Sequence, residues 1–381
     1  MTAMPFLTDE HRIFRDQLRR FVDEDVRPHA DEWEVTGQVP RAVLERMGAL
    51  GFLGIRYPET YGGAEMDMLA TVIFAEELGR SGYGGFAITA LVHTDMASPH
   101  LANAGTDDQM ARYMPDIIAG RCITAVAVTE PDAGSDVGGI KTRAKLDGNH
   151  WVLNGRKLYI TNGVLGDLYF VAARTDMSQK SSRGTTIFIV EKGTPGFSVA
   201  NRLDKSGWRS SDTAELLFED VRIPADQVLG QIDGGFYAIM QNFQNERLVL
   251  GAQAMGEAMR ALEITLDYVK DRKAFGGTLW DKQAIRQRLS QRWAEVAAAR
   301  AYIYQTALAM DAGDDSVRDV SAIKALCGDL VNKVMYDCQQ FHGGFGYMTG
   351  TEIERMVRDA RVQAIGGGAT EVMLEEIAKR L

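Results

Sequence analysis

Read for the spacing of its apolar positions, the chain changes rhythm twice. Up to about residue 121 the spacing is helical: Phe14, Leu18, Phe21 and Val22 share one face. Thr8 stands before them as a candidate N-cap, and Asp9 and Glu10 occupy the first turn, where acids complement the helix dipole. The pattern returns at 41–52, 66–81 and 107–119, with glycine or proline between the segments.

From about 122 to 230 the period shortens. Thr142–Leu146 leads into Asp147-Gly148 and then Trp151–Leu153, a strong local hairpin signal. A second pair of turn residues, Asn154-Gly155, precedes Leu158–Thr161, and Thr185–Val190 is a further strand-like run. Short strands at such spacing predict a small β-barrel or sandwich.

Beyond about 231 the helical rhythm resumes in longer stripes. Met255, Met259, Leu262, Leu266 and Val269 step by four, three, four and three, the seam of a helix bundle. Ile285, Leu289, Trp293 and Val296 begin a second stripe, Val320, Ile323, Leu330 and Val334 a third, and Val372, Met373, Ile377 and Leu381 a short last one. Helices, then strands, then helices predict an α+β chain with domains in series at 1–121, 122–230 and 231–381.

Composition narrows the class. A chain of 381 residues, 45% hydrophobic and 25% charged, is that of a soluble globular protein. Its net charge of −10 argues against nucleic acid, which calls for a basic face. No apolar run approaches the ~18 residues of a membrane span, and the first residues lack the basic-then-apolar order of a secretory leader. Cys122, Cys327 and Cys338, few and odd in number, fit a reducing compartment, so a cytoplasmic protein is expected. The six histidines are scattered without zinc spacing, and no metal site is expected. Gly134–Gly138 has alanine where a nucleophile elbow needs glycine, and Gly344-Phe345-Gly346 follows no strand.

Two stretches remain. VTEPDAGSD, Val128–Asp136, is either an ordinary turn or a loop that offers backbone N–H groups and hydroxyls to a polar planar ligand. AIGGGATE, Ala364–Glu371, carries three successive glycines, each costing roughly 0.5–1 kcal/mol in a regular element. Either its backbone takes a glycine-only conformation, or something approaches it closely.

VTEPDAGSD, LYITNG at 158–163, DRKAFG at 271–276, QFHGGFGYM at 340–348 and RDARVQAI at 358–365 follow one another across nearly the whole chain. In that order and at those separations they resemble the acyl-CoA dehydrogenase family. The resemblance implies an N-terminal helical domain, a middle β-barrel domain and a C-terminal four-helix bundle. It also implies bound FAD, a homotetramer built as a dimer of dimers, an acyl-CoA substrate and an electron-transfer flavoprotein as acceptor.

Carried over by position, Val126, Val128, Thr129 and Ser135 would line the flavin ring, with Tyr159 and Thr161 on its other face. Many relatives have tryptophan where this chain has Tyr159. Arg272, Phe275, Gln283, Gln340, Phe341, His342, Gly343 and Gly344 would reach the FAD of a neighbouring subunit. Ala369, which replaces a common threonine or serine, and Glu371 would touch FAD through the last loop. Ser135, Gln244, Arg247, Gly367 and Gly368 would meet the substrate.

Many members of the family carry their catalytic glutamate where this chain has Gly367. A subset that includes the isovaleryl and long-chain types places it in a Glu-Arg-Leu segment of a bundle helix, which Gln244–Leu250 matches; Glu246 is then the implied base. An acyl thioester is only weakly acidic at its α-carbon. A glutamate whose charge is disfavoured by an apolar pocket becomes a stronger base, and the Gly367 N–H would donate to the thioester oxygen as an enolate develops. The implied product is the trans-2-enoyl-CoA. An oxidase, a flavin monooxygenase or a non-catalytic acyl-CoA binder on the same fold are the alternatives.

Overall fold

The structure, a computed structural model, describes residues 4–381. The first seven helices are α1 (Asp9–Phe21), α2 (Ala30–Thr36), α3 (Arg41–Ala49), α4 (Met68–Arg80), α5 (Gly84–Leu91), α6 (Ser98–Ala104) and α7 (Asp107–Ile118). Thr8 caps α1 as its spacing predicts, accepting from the His11 N–H at 3.3 Å while its own N–H donates to His11 Nδ1 at 3.2 Å. Phe14, Leu18 and Phe21 are buried on the inward face. Almost every residue of α4 and all of α5 are buried. Between α5 and α6 the helix widens into a π-helical turn over Val92–Ala97.

Strands β1 (Thr124–Ala127), β2 (Arg143–Asp147), β3 (His150–Thr161), β4 (Leu168–Arg174), β5 (Thr185–Glu191), β6 (Phe197–Arg202), β7 (Thr213–Pro224) and β8 (Val228–Leu229) form one sheet. Its order is β6-β7-β3-β2-β4-β5-β8, with β1 alongside β4. The end strands β6 and β8 are not bonded to each other, so the hydrogen-bonded path is open. The sheet nevertheless curls: Tyr169 of β4 and Phe197 of β6, with three strands between them in the order, bring their rings to 4.8 Å. Asp147-Gly148 does turn β2 into β3. Asn154-Gly155 does not turn. It lies inside β3 as an irregularity in the pairing with β7, between Leu153 and Gly155, where the Gly155 backbone presses against Thr142.

The rest is helical: α8 (Gly235–Asp271), α9 (Gln283–Asp311), α10 (Val317–His342), α11 (Glu352–Ala360) and α12 (Thr370–Ala378), with a two-stranded ribbon of β9 (Lys273–Ala274) and β10 (Gly277–Thr278) after α8. The α8 seam is buried at Met255, Met259, Leu262 and Val269, while Leu266 is half-buried. On α9 the expected stripe fails at Trp293, which is 48% exposed. Arginines take the inward positions instead: Arg292 Nε donates to Asp337 Oδ2 at 2.7 Å, and Arg300 pairs with Glu76 of α4. An apolar-periodicity argument cannot foresee a face built from buried ion pairs.

Candidate active site

Helix α8 fixes Glu246. The side chain is buried, and burial pushes its carboxyl up to about 8, against the smaller pull of Asn242 and Arg247. Asn242, one turn earlier, donates from Nδ2 to Glu246 Oε1 at 3.0 Å and to the Met96 carbonyl of the π-helical turn at 2.9 Å. The carboxylate is thus oriented and otherwise kept dry.

One turn further along α8 stands Leu250, where i and i+4 side chains are neighbours. The glycine loop folds onto it. Gly367 and Gly368 adopt φ of +63° and +107°, and a Cβ on Gly367 would overlap Leu250 Cδ1. Both conformations disfavour any side chain, which answers why glycines stand there. Against the same loop Lys324 of α10, buried, donates from Nζ to Gln363 O at 2.6 Å and Gly368 O at 3.1 Å. Arg247 reaches from α8 toward α10, its Nη1 3.4 Å from Ser321 Oγ and its buried Nε without a partner among the described residues. Gln244 lies about 200° around the helix from Glu246. It lines a cavity of about 330 Å³ together with Asn242, the residue bonded to Glu246, and with Arg56, Asp95 and Asn245.

The loop from Val128 to Asp136 is pinned by residues that the sequence reading did not single out. Lys157 of β3, fully buried, donates to Val128 O at 2.9 Å and Glu130 Oε1 at 2.8 Å. The N–H groups of Lys141 and Thr142 donate to the same carboxylate. Burial alone would raise the Glu130 carboxyl, but Lys157 and these donors outweigh it and hold it below its ordinary range. Leu158 N–H donates to Thr129 O at 2.9 Å, which sets the loop beside Tyr159 and Thr161. Tyr159 has φ +61° and is 67% exposed, so its ring stands off the sheet. Val126 and Thr129 are half-buried, Val128 is buried and Ser135 is exposed.

The other residues collect at the far end of α8. Arg272 closes that helix, its N–H donating to Tyr268 O at 2.8 Å. Phe275 is 92% exposed with φ +53°, and Gln283, Gln340, Gly343 and Gly344 are exposed while Phe341 is half-buried. The His342 ring is an exception. It is buried and stacked on Tyr268 at 4.4 Å, so only its backbone faces outward. A rise of 1.5 Å per residue puts Arg272 about 40 Å along α8 from Glu246.

Descriptions of the acyl-CoA dehydrogenase N-terminal, middle and C-terminal domains match residues 8–121, 125–221 and 233–381. The long-chain specific acyl-CoA dehydrogenase of Mus musculus is 41% identical over 375 residues, 98% of this chain and 87% of that one. The isovaleryl-CoA dehydrogenase of Pongo abelii is 36% identical over 373 residues, 97% and 88% of the two chains. A crystal structure of acyl-CoA dehydrogenase from Geobacillus kaustophilus superposes with a TM-score of 0.96 at 37% identity, covering 99% of each chain.

The chain belongs to the acyl-CoA dehydrogenase family.

FAD is the cofactor of acyl-CoA dehydrogenases, and the residues present fit it. The hydroxyls of Thr129, Ser135 and Thr161 make no hydrogen bond to other described residues, and Tyr159 offers a bare ring beside them. Ala369 precedes α12 as its N-cap and Glu371 is exposed in its first turn. The structure therefore packs Gly367 on Leu250, one turn from Glu246, and sets Val126, Val128, Thr129, Tyr159 and Thr161 around the neighbouring ends of β1 and β3, while Ala369 and Glu371 lie at the start of α12. It leaves Gln244 on another face. Among residues not foreseen, Asn242 and Lys324 carry no motif signal; Lys157 shows only as a lysine in an inward register of β3.

Proposed function

We propose that this acyl-CoA dehydrogenase converts an acyl-CoA thioester to the trans-2-enoyl-CoA with Glu246 as the base. The observation that carries the reading is a buried carboxylate with its proton affinity raised to about 8, one helical turn from the leucine on which Gly367 folds. Glu246 accepts the α-proton. The N–H of Gly367 donates to the thioester oxygen, where negative charge develops, and a fixed donor in a dry site is worth far more than one in water. Arg247, whose Nε has no partner among the described residues, holds the thioester's polar portion, while a side chain on Gly368 would run into Met373. Bound FAD supplies the acceptor for the hydrogen that leaves the β-carbon as hydride, held by Val126, Val128, Thr129, Ser135, Tyr159, Thr161, Ala369 and Glu371.

Arg272, Phe275, Gln283 and Gln340–Gly344 serve a neighbouring subunit's FAD in a homotetramer; the exposure of Arg272, Phe275, Gln283, Gln340, Gly343 and Gly344 and their distance from Glu246 support this. Division at 1–121, 122–230 and 231–381, an electron-transfer flavoprotein as acceptor, and a cytoplasmic setting complete the proposal. The three cysteines are unpaired, and among the described residues no helix is long and apolar enough to cross a membrane. Anaerobic titration with acyl-CoAs of graded length and branching tests the reading: at least one must bleach the flavin. Bleaching by none would overturn it.

A further inference from the structure

One face of α10 grips the glycine loop from beneath. Lys324, Gly328 and Asn332 are spaced by four and so lie on one side of the helix. Asn332 Nδ2 donates to Ala360 O at 3.0 Å. Gly328 lets the backbone of Gln363 and Ala364 come close; a Cβ there would meet Gln363 O at 2.7 Å. Lys324 completes the row. Its two acceptors, Gln363 O and Gly368 O, lie before and after Ala364–Gly367, so the side chain braces the loop across its mouth.

The brace is chemically unusual. Lys324 is 2% exposed, and among the described residues no carboxylate pairs with it. Its ammonium is satisfied by backbone carbonyls, a demanding arrangement for a buried cation. Glycine populates left- and right-handed backbone about equally, so nothing local selects the +63° and +107° found at 367 and 368. An outside restraint must. The loop is also tied to the helix of the base: Leu250 lies against Gly367, and Gln363 Nε2 donates to Glu257 Oε1 at 3.2 Å.

We propose that Lys324 is a positioning residue for the dehydrogenation: by bracing Gln363 O and Gly368 O it aims the Gly367 N–H at the thioester oxygen and so sets the acidity of the bound α-carbon. The inference rests on the reading of Gly367 as the oxyanion donor. Lys324 exchanges no proton in the reaction. It acts through the loop, and its effect appears in how well the bound enolate is stabilised.

Acetoacetyl-CoA, whose α-proton is already acidic and whose enolate absorbs in the ultraviolet, is the probe. Bound to the FAD-loaded parent, its apparent acidity should rise well above that of the free thioester. In Lys324→Met that gain should shrink by about 10- to 100-fold, less than or comparable to removal of an oxyanion donor itself. FAD content and the Kd for a saturated acyl-CoA should stay as in the parent, so that kcat falls and KM does not. Lys324→Arg, which restores a cation with several donors, should recover part of the gain. Should Lys324→Met not accumulate folded, Lys324→Gln, with a donor for one carbonyl, carries the same measurement. An undiminished gain in the folded variant overturns the role of Lys324 alone. No gain in the parent overturns the reading of Gly367, and the brace with it.

Discussion

Glu246 and Arg272 belong to one helix but to opposite kinds of surroundings. At Glu246 the chain supplies everything around the carboxylate: apolar walls, the Asn242 donor, and a glycine loop seated on Leu250. At Arg272 it supplies almost nothing. The guanidinium meets no carboxylate among the described residues, Phe275 is 92% exposed on a strained backbone, and Phe345 and Tyr347 beside the end of α10 are 58% and 77% exposed. Large aromatics gathered in the open mark a surface waiting for a partner. On the proposed reading, the first region is preorganised for chemistry within one chain and the second is organised for what comes from outside it. The two should therefore separate under mutation.

The largest effect belongs to Glu246. Glu246→Gln should slow flavin reduction by on the order of 10²–10⁴, with FAD and acyl-CoA still bound. In the parent, kcat/KM should rise with pH toward a plateau above about 8, because the base works only when ionised, and the variant should lose that limb. Stopped-flow reduction across pH reads both. Next comes the loop: Gly367→Ala drives a methyl into Leu250 at a left-handed φ and should cost about 10²-fold in kcat. Adding Leu250→Ala should return only part, since it relieves the clash and not the backbone strain. Full activity in Gly367→Ala would detach the loop from the chemistry.

Arg272→Ala probes the other region. It should weaken FAD binding by about 10- to 100-fold, as loss of a hydrogen bond to a charged group does. It should also loosen assembly in analytical ultracentrifugation, while the loaded sites are reduced at the parent rate. If loaded Arg272→Ala is instead slow in reduction, the contrast between the two regions collapses.

The smallest effect is on stability. A carboxyl raised when folded leaves its stabilisation intact below its unfolded value near 4.5 and loses it as pH climbs toward about 8. Glu246→Gln removes that loss. Its Tm should match the parent near pH 4.5 and exceed it by a few degrees near pH 8.5, as scanning calorimetry at both would show.

Much of this arrangement is legible from spacing. The Thr8 cap, the Asp147-Gly148 turn and the buried methionines of α8 follow from local rules about orphan N–H groups, hairpin twist and helical period. Glu246 is singled out by the match of Gln244–Leu250 to a Glu-Arg-Leu segment, and it is buried. What escapes is polar burial. Trp293 looks inward by period yet faces out, because Arg292 and Arg300 reach acids from other helices, which are distant in sequence. Lys157 and Lys324 escape for the same reason: their acceptors are chosen by the fold. Asn154-Gly155 misleads differently, since residues that favour a turn also favour a bulge within a continuous strand.

The length of α8 has a further consequence. Its 37 residues form a rod about 55 Å long, with the base near one end and the Arg272 corner at the other. Adding one residue between them would rotate everything beyond by 100° and advance it by 1.5 Å. Glu246 could still face its loop, but Arg272 and Phe275 would then point away from their present direction. The connection at 312–316 imposes no such phase. Drift in chain length is therefore tolerable between α9 and α10 and forbidden within α8, which acts as a fixed-pitch screw between the two regions.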